Sequence, residues 1–435
     1  MPRMRRRTQY NMSHQVATLG NMGLLIPVTH LEVAPGDTWS GRVGMLLRLS
    51  PLKRALLQDI YVDTFAFYVP HRLVWSGWED FIAAGPNDDS AVTTPPTLTN
   101  DSTYLFQTGN GITASTYNEL KVRAYNLIYN EFFRDVEAAV IAQDRQVSSP
   151  LQVSGKRHYW NELREQVAIG ADATAPVITG TPDTVKAEDI LRAIAQEKLQ
   201  MKRATYGTRY VDILKSYGVS VNYQMLQRPE IVGMGRSSMN ITDIAGTNWD
   251  STTTGLGRLA GYGVGNNRLR IRRKSFPEHG TLMFLAVVRP TFVDWAIHDW
   301  MDGARGAEYA SYYDPQLELL PTQEVNAGDV VSPVTNNDAT AIGYMPWGQW
   351  YRQATNRVHV DLAGWTAEQF GFAAGTWDGH DLLQTQLRDG VYNASDWDSL
   401  FEDTTYGHFQ ISAAFQLRAQ RLIKPNNPGV LAGST

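Results

Sequence analysis

Between Asp59 and Pro70 the side chains fall into two rows. One row, Ile60, Val62, Thr64, Ala66 and Tyr68, is apolar or neutral along its whole length. The other opens with Asp59, Tyr61 and Asp63 and turns apolar only at Phe65, Phe67 and Val69. A period of two puts such rows on opposite faces of a β-strand. One face therefore suits a core throughout, while the other suits water first and a cover later. Pro70 removes a ladder donor, ends the strand and brings in His71 and Arg72. The pattern leaves one question: what covers Phe65, Phe67 and Val69.

Strand-like segments also fall around Val28–Val33, Val43–Leu49, Gly280–Arg289 and Arg357–Leu362. Stretches rich in Gly, Asn, Thr and Pro at 85–114, 145–185, 236–267 and 321–342 read as long loops or insertions. Helical spacing takes over at 116–140, where Thr116 and Glu119 form a capping box ahead of Leu120, Ala124, Leu127, Ile128 and Phe132. It recurs at 185–201 through Ile190, Leu191, Ile194 and Leu199, and at 210–217 between Thr208 as N-cap and Gly218 as C-cap. The first 25 residues, polar and punctuated by Gly20 and Gly23, read as an extended arm. Strands early, helices in the middle and strands late describe a β-sandwich decorated by helical insertions better than a βαβ alternation.

Composition narrows this picture. The 435 residues include 12 tryptophans, with aromatics at 11% and charged residues at only 19%. That balance favours a β-rich protein with much buried or partner-facing aromatic surface. With no cysteine, disulfides, thiolate catalysis and Cys-ligated metals are excluded. No apolar run approaches membrane-spanning length, and the basic start MPRMRRR has no apolar segment behind it, so the expectation is a soluble chain without a secretory signal or membrane insertion.

The net charge of −5 hides an uneven distribution. Residues 1–31, 251–277 and 404–435 contain no acid and hold 13 of the 39 basic residues, leaving 26 basic against 44 acidic residues elsewhere. Such a chain has something anionic to meet in one place. Arg3, Arg5, Arg6 and Arg7 on a flexible arm point to phosphate. RLRIRRK at 268–274 alternates like a strand, with Arg268, Arg270 and Arg272 on one face and Arg273 and Lys274 extending the charge. Five positive charges in seven residues cannot form a core, so this face meets solvent, acidic protein or phosphate. Arg418, Arg421 and Lys424 form a third basic group. Neither the arm nor the strand has the aromatic interleaving of a sequence-reading module, so a nucleic-acid contact here is expected to be electrostatic and nonspecific.

Signals for catalysis are weak. GLGRLA at 255–260 fits a dinucleotide fingerprint in letters, but it neither follows an apolar strand nor opens a helix. The nine histidines are dispersed, and single ones such as His298 are more often packed than ligating. Carboxylates beside tryptophans, at Asp294-Trp295, Asp299-Trp300, Trp377-Asp378 and Trp397-Asp398, could belong to a polysaccharide-binding protein or glycoside hydrolase. The plainer reading is that the rings fill a core or an interface while the acids start turns.

FAFYVPHRLVWSGWEDFI at 65–82 resembles a block near the N-terminus of the major capsid proteins of Microviridae, small tailless phages with circular single-stranded DNA. The likeness continues in order through YNEFFRD at 129–135, TRYVDILKSYGV at 208–219, LQRPEIVG at 226–233, EHG and VVRPTF within 278–292, and GYMPWGQWYR at 343–352. After EHG the chain reads TLMFLA rather than a glycine-containing run, and it lacks the length for the long surface insertion of gokushovirus-type relatives.

The resemblance implies a mainly β fold: an eight-stranded antiparallel jelly roll with long loop and helical insertions, approximately at 85–240 and 290–355. In it a basic arm, 1–25, precedes a single domain, 26–435. It implies a non-enzymatic subunit of a T=1 icosahedral shell around circular single-stranded DNA, present in the virion and assembled in the host cytoplasm, with no cofactor. The implied partners are further copies of itself, the genome, a small DNA-binding or pilot protein and a receptor on the bacterial surface. Within that frame, the basic residues above face the DNA, and His71, Arg72, Trp75 and Trp78 lie at a subunit interface. An insertion or a neighbouring subunit is then expected to cover Phe65, Phe67 and Val69.

Overall fold

The computed structural model describes residues 7–52, 55–56, 59–83, 94–99, 116–134, 150–153, 227–245, 259–290, 309–315, 322–326, 341–352, 354, 370–371, 398, 400–405 and 407–423. Among them the strands are β1 (Thr8–Asn11), β2 (His14–Gly20), β3 (Leu24–Val33), β4 (Thr38–Leu49), β5 (Ala55–Leu56), β6 (Ile60–Pro70), β7 (Thr97–Thr99) and β8 (Thr116–Asn118). They continue with β9 (Leu151–Gln152), β10 (Glu230–Ala245), β11 (Leu259–Ser275), β12 (Gly280–Pro290), β13 (Thr322–Asn326), β14 (Ala341–Pro346), β15 (Phe370–Gly371) and β16 (Phe409–Arg421). Helices α1 (His71–Val74), α2 (Trp78–Ala83) and α3 (Leu120–Ile128) lie between them, and a π-helical turn, Tyr129–Phe133, extends α3.

Ten strands build one antiparallel sheet in the order β1-β16-β4-β11-β10-β6-β12-β3-β9, with β2 also on β16. β1 and β2 share one register, from Thr8 opposite Arg421 to Gly20 opposite Phe409, and so act as a single strand. With the two-residue β9 set aside, eight strands remain, and numbered along the chain they lie 1-8-3-6-5-4-7-2 across the sheet. First lies beside last, second beside seventh, third beside sixth and fourth beside fifth. That nested pairing is a long hairpin rolled upon itself, the eight-stranded jelly roll. The sheet curls about one core, to which β4 gives Trp39, Met45 and Leu47, β12 gives Leu282 and Phe284, and β16 gives Phe409, Ile411 and Phe415.

β6 answers the opening question. Ile60, Val62, Ala66 and Tyr68 point into that core. Phe67 and Val69 belong to a second cluster, with Met283, Leu285 and Val287 of β12 and Ala124, Tyr125 and Ile128 of α3. The cover is an insertion of the same chain. Phe132 and Phe133 of the π turn close it, lying 4.9 Å from Phe67 and 5.2 Å from Phe65 between ring centroids. Tyr125 locks the helix down, donating its hydroxyl to the Leu25 carbonyl (2.7 Å) and accepting the Leu151 N–H (2.9 Å). TLMFLA lies within β12, which is covered on both faces, and every residue from Thr281 to Val288 is buried. Asp63 does not face water as its row suggested: it is buried and paired with Arg289 and Arg236.

Several expectations are corrected. Residues 236–267 are mostly strand, not loop, in β10 and β11. Their glycines make room rather than turns. A Cβ on Gly235 would stand 2.9 Å from both Thr64 Oγ1 and Asn267 Oδ1, two side chains that hydrogen-bond to each other across β10 at 2.7 Å. Residues 8–20 of the arm are extended but docked, paired along the whole of β16. Within 321–342, β13 and the start of β14 pair as a hairpin. The capping box does not form: Thr116 sits in β8, and Asn118 Oδ1 accepts the Leu120 N–H (2.9 Å). The strand expected at 357–362 and the helices at 185–201 and 210–217 lie outside the described residues.

Candidate nucleic-acid and assembly surfaces

The rolled sheet has one half, β1/β2-β16-β4-β11, whose outward face is set by strict alternation. On β16, Ile411, Ala413, Phe415 and Leu417 are buried while Gln410, Ser412, Ala414, Gln416 and Arg418 are exposed. β4 turns Arg42, Leu46 and Arg48 outward, and β11 does the same with Asn266, Arg268, Arg270 and Arg272. A register shift between Ile271 and Lys274 breaks the alternation and leaves Arg273 exposed as well. None of these strands contains an Asp or Glu.

Register brings the charges together. Arg270 lies directly opposite Arg42, and Arg42 opposite Gln416, which accepts from its Nε at 2.6 Å. Arg418 lies opposite Ser40, two residues before Arg42 on β4. Among the described residues, Arg48, Arg268, Arg270, Arg272 and Arg418 have no hydrogen-bond or ion-pair partner. Like charges directly across an antiparallel pair are destabilising, so this face is arranged for an anion from outside. The sequence reading found the β11 and β16 arginines but missed Arg42 and Arg48. Their signal was present: both sit on the polar phase of an acid-free alternating segment.

The other basic candidates are placed differently. Lys274 is paired with Glu230 of β10. Arg421 pairs through Nε with the fully buried Asp37 (3.1 Å), donates to the Glu32 carbonyl (2.7 Å) and lies over the Trp39 ring. Both charges are matched within the chain. Arg273 donates to Gln420 (3.3 Å), and Arg7 to Thr38 Oγ1 (3.0 Å). Arg3, Arg5, Arg6 and Lys424 lie outside the described residues.

Comparison with known proteins supplies the context. The family model described as "Capsid protein (F protein)" matches residues 2–155 and 138–427. The chain belongs to this capsid protein family. Capsid protein F of Escherichia phage G4 is 27% identical over 432 residues, 95% of each chain. Capsid protein F of Escherichia phage alpha3 is 25% identical over 437 residues, 94% of each. Capsid protein VP1 of Chlamydia phage 1 is 33% identical over 145 residues, covering 30% of this chain and 24% of the relative. These relatives are named as shell proteins, not enzymes.

In this capsid protein the VPHRLVW block ends β6 and builds a rigid corner. The His71 ring is buried against Trp78 (4.6 Å), and its Nε2 lies 3.0 Å from Glu32. Arg72 grips Glu278 through Nε (3.1 Å) and Nη2 (3.3 Å) in the same chain. Trp75, Trp78 and Phe81 pack as one aromatic group beyond it, with Phe81 and Ile82 exposed. The group runs from the buried His71 through the half-buried Trp75 and Trp78 to the exposed Phe81. Among the described residues no cluster of three or more His, Asp or Glu could hold a metal, and no helix is long and apolar enough to cross a membrane.

Proposed function

We propose that this capsid protein assembles into a T=1 icosahedral shell in the host cytoplasm and encloses a circular single-stranded DNA genome, which lies against the arginine face of β16, β4 and β11. The observation that carries the reading is Arg270 standing opposite Arg42 on strands that have no carboxylate. Phosphate is the counter-charge such a face needs, and a packaged genome supplies it at high density. Arg42, Arg48, Arg268, Arg270, Arg272 and Arg418 are the principal contacts. Arg273 and the arm arginines Arg3, Arg5, Arg6 and Arg7 extend the field, with Lys424 at the other end of the chain. Lys274 and Arg421, each matched by a carboxylate, hold the sheet together beneath it. Trp75 and Trp78, with His71 and Arg72 as their support, contact a neighbouring subunit. A small DNA-binding or pilot protein and a receptor on the bacterial surface complete the set of partners.

The test replaces Arg268, Arg270 and Arg272 together with glutamine, which removes charge while leaving the buried phase of β11 untouched. Particles are expected to form with less nuclease-protected DNA. Binding of single-stranded DNA should lose salt sensitivity, by about 0.7 in log–log slope per phosphate contact removed. Particles with full DNA content and an unchanged salt response would exclude this face as the genome contact.

A further inference from the structure

The two outer edges of the sheet are guarded differently. Along β3, Pro27 lacks a donor, Glu32 adds charge and β9 covers Leu24 and Leu25. Along β1 and β2 there is no proline and no charged residue, and residues 8–31 contain no Asp, Glu, Lys or Arg at all. Soluble proteins normally blunt a long edge with lysine, proline or a bulge, because its free N–H and C=O groups template pairing with another chain. Among the described residues no strand pairs with the outer side of this one.

Hydrogen bonding fixes which groups are free. The Met12 N–H donates to the Leu417 carbonyl, so even-numbered residues turn their backbone toward β16 and odd-numbered ones toward the open edge. Gln9, Asn11, Ser13, Gln15, Ala17 and Leu19 also carry the exposed side chains. Asn11 Oδ1 accepts the Ser13 N–H at 3.1 Å, which guards that position locally. Gln15 and Ala17 are left presenting an unguarded ladder, and the Leu19 carbonyl accepts only a long bond from Thr18 Oγ1 (3.4 Å).

We infer that this edge pairs with the same edge of a second copy, antiparallel, across a two-fold axis at Ala17. A capsid subunit works in an assembly of copies, so the partner is always at hand. The pairing sets Ala17 against Ala17 and Gln15 against Leu19, small or neutral residues throughout. Arg7, the nearest charge in sequence, falls at opposite ends in the two copies. A two-fold axis perpendicular to the sheet keeps both arginine faces on one side, so two four-stranded faces join into one continuous basic platform. The contact itself rests on membership of the capsid family and not on DNA binding.

The chain has no cysteine, so Ala17→Cys introduces a single thiol. Hydrogen-bonded partners in an antiparallel pair have Cα atoms about 5.5 Å apart, within the range a disulfide can bridge. Oxidised Ala17→Cys particles are expected to run as covalent dimers on a non-reducing gel, while Gln416→Cys particles, with the thiol on the same face but away from the axis, stay monomeric. Assembled Ala17→Cys particles that remain monomeric would overturn the proposal. Ala17→Lys sets two like charges on the axis and should lower particle yield by about tenfold while thermal unfolding of the free subunit is unchanged. Wild-type yield from that variant would equally overturn it. Ala17→Cys combined with the three β11 glutamine substitutions should still cross-link, so failure of the DNA reading leaves this test intact.

Discussion

His408 has no access to solvent, and its neighbours dictate its proton. Its Nδ1 accepts the Met22 N–H (3.1 Å), so the hydrogen sits on Nε2 and is donated to Asp398 (2.7 Å), while Phe401 stacks on the ring at 4.6 Å. Burial, the largest influence, pushes its pKa below 6.5, against the opposing pull of Asp398. His30 and His279 are lowered in the same sense, again chiefly by burial. The unfolded chain therefore takes up protons first, and stability rises with pH across that interval. The stabilisation is complete above pH 6.5 and is lost as pH falls below it. The free subunit should show a falling Tm from pH 7 to pH 5, and His408→Gln should flatten that slope. An unchanged slope would remove His408 from the response. In the sequence this site is no more than a single dispersed histidine, because Met22, which fixes its tautomer, lies 386 residues away. Asn267 was hidden for the same reason: its amide bonds Val62 O and Ser237 Oγ, both at 3.0 Å, across strands distant in sequence.

At the level of elements, periodicity served well where an element has two different faces. The helix at α3 and the strand at β6 were both legible, and so was the need for a cover over Phe67. What the sequence could not say is that α3 is that cover. Tyr125 is the clamp between them, reaching β3 and β9 at once. Tyr125→Phe keeps the ring but strands the Leu25 carbonyl and the Leu151 N–H, an expected loss of about 1–3 kcal/mol in subunit stability. Denaturant unfolding measures it, and a loss no greater than that of the exposed Tyr262→Phe would show the hydroxyl to be idle. Misread elements share one cause. Glycine marks a turn in most loops, but in β10 and β11 it marks a place where a neighbour's side chain needs the space. A Cβ on Gly263 would lie 2.4 Å from Leu49 Cδ1.

Over the whole molecule, the acid-free segments at 1–31, 251–277 and 404–435 supply β1, β2, nearly all of β3, β11 and β16, so a linear charge pattern became a spatial one. β4 is the exception, since it lies outside those segments and still carries two of the face's arginines. Local alternation could not reveal the strand order, because neighbouring strands in the sheet come from opposite ends of the chain. The jelly roll was legible only through the resemblance of the VPHR, LQRPE and GYMPWGQWYR blocks.

The nested order of strands has a consequence for how the protein is made. β4 flanks β11 on one side and needs β16 on the other, and β1 and β2 have only β16 to pair with. All three emerge from the ribosome within the first 49 residues, whereas β16 begins at Phe409. At about 5–20 residues per second, the wait is on the order of 20–80 s, during which the N-terminal strands stay open. Such non-local closure is slow and leaves the nascent chain dependent on its last segment. A chain ending before Phe409 should be insoluble when expressed, and co-expressing residues 405–435 should restore some soluble subunit. Soluble, monomeric truncated chain would show that the roll closes without its final strand. If it does not, translation itself inspects the product: only a chain read through Arg421 can present a finished sheet to the growing shell.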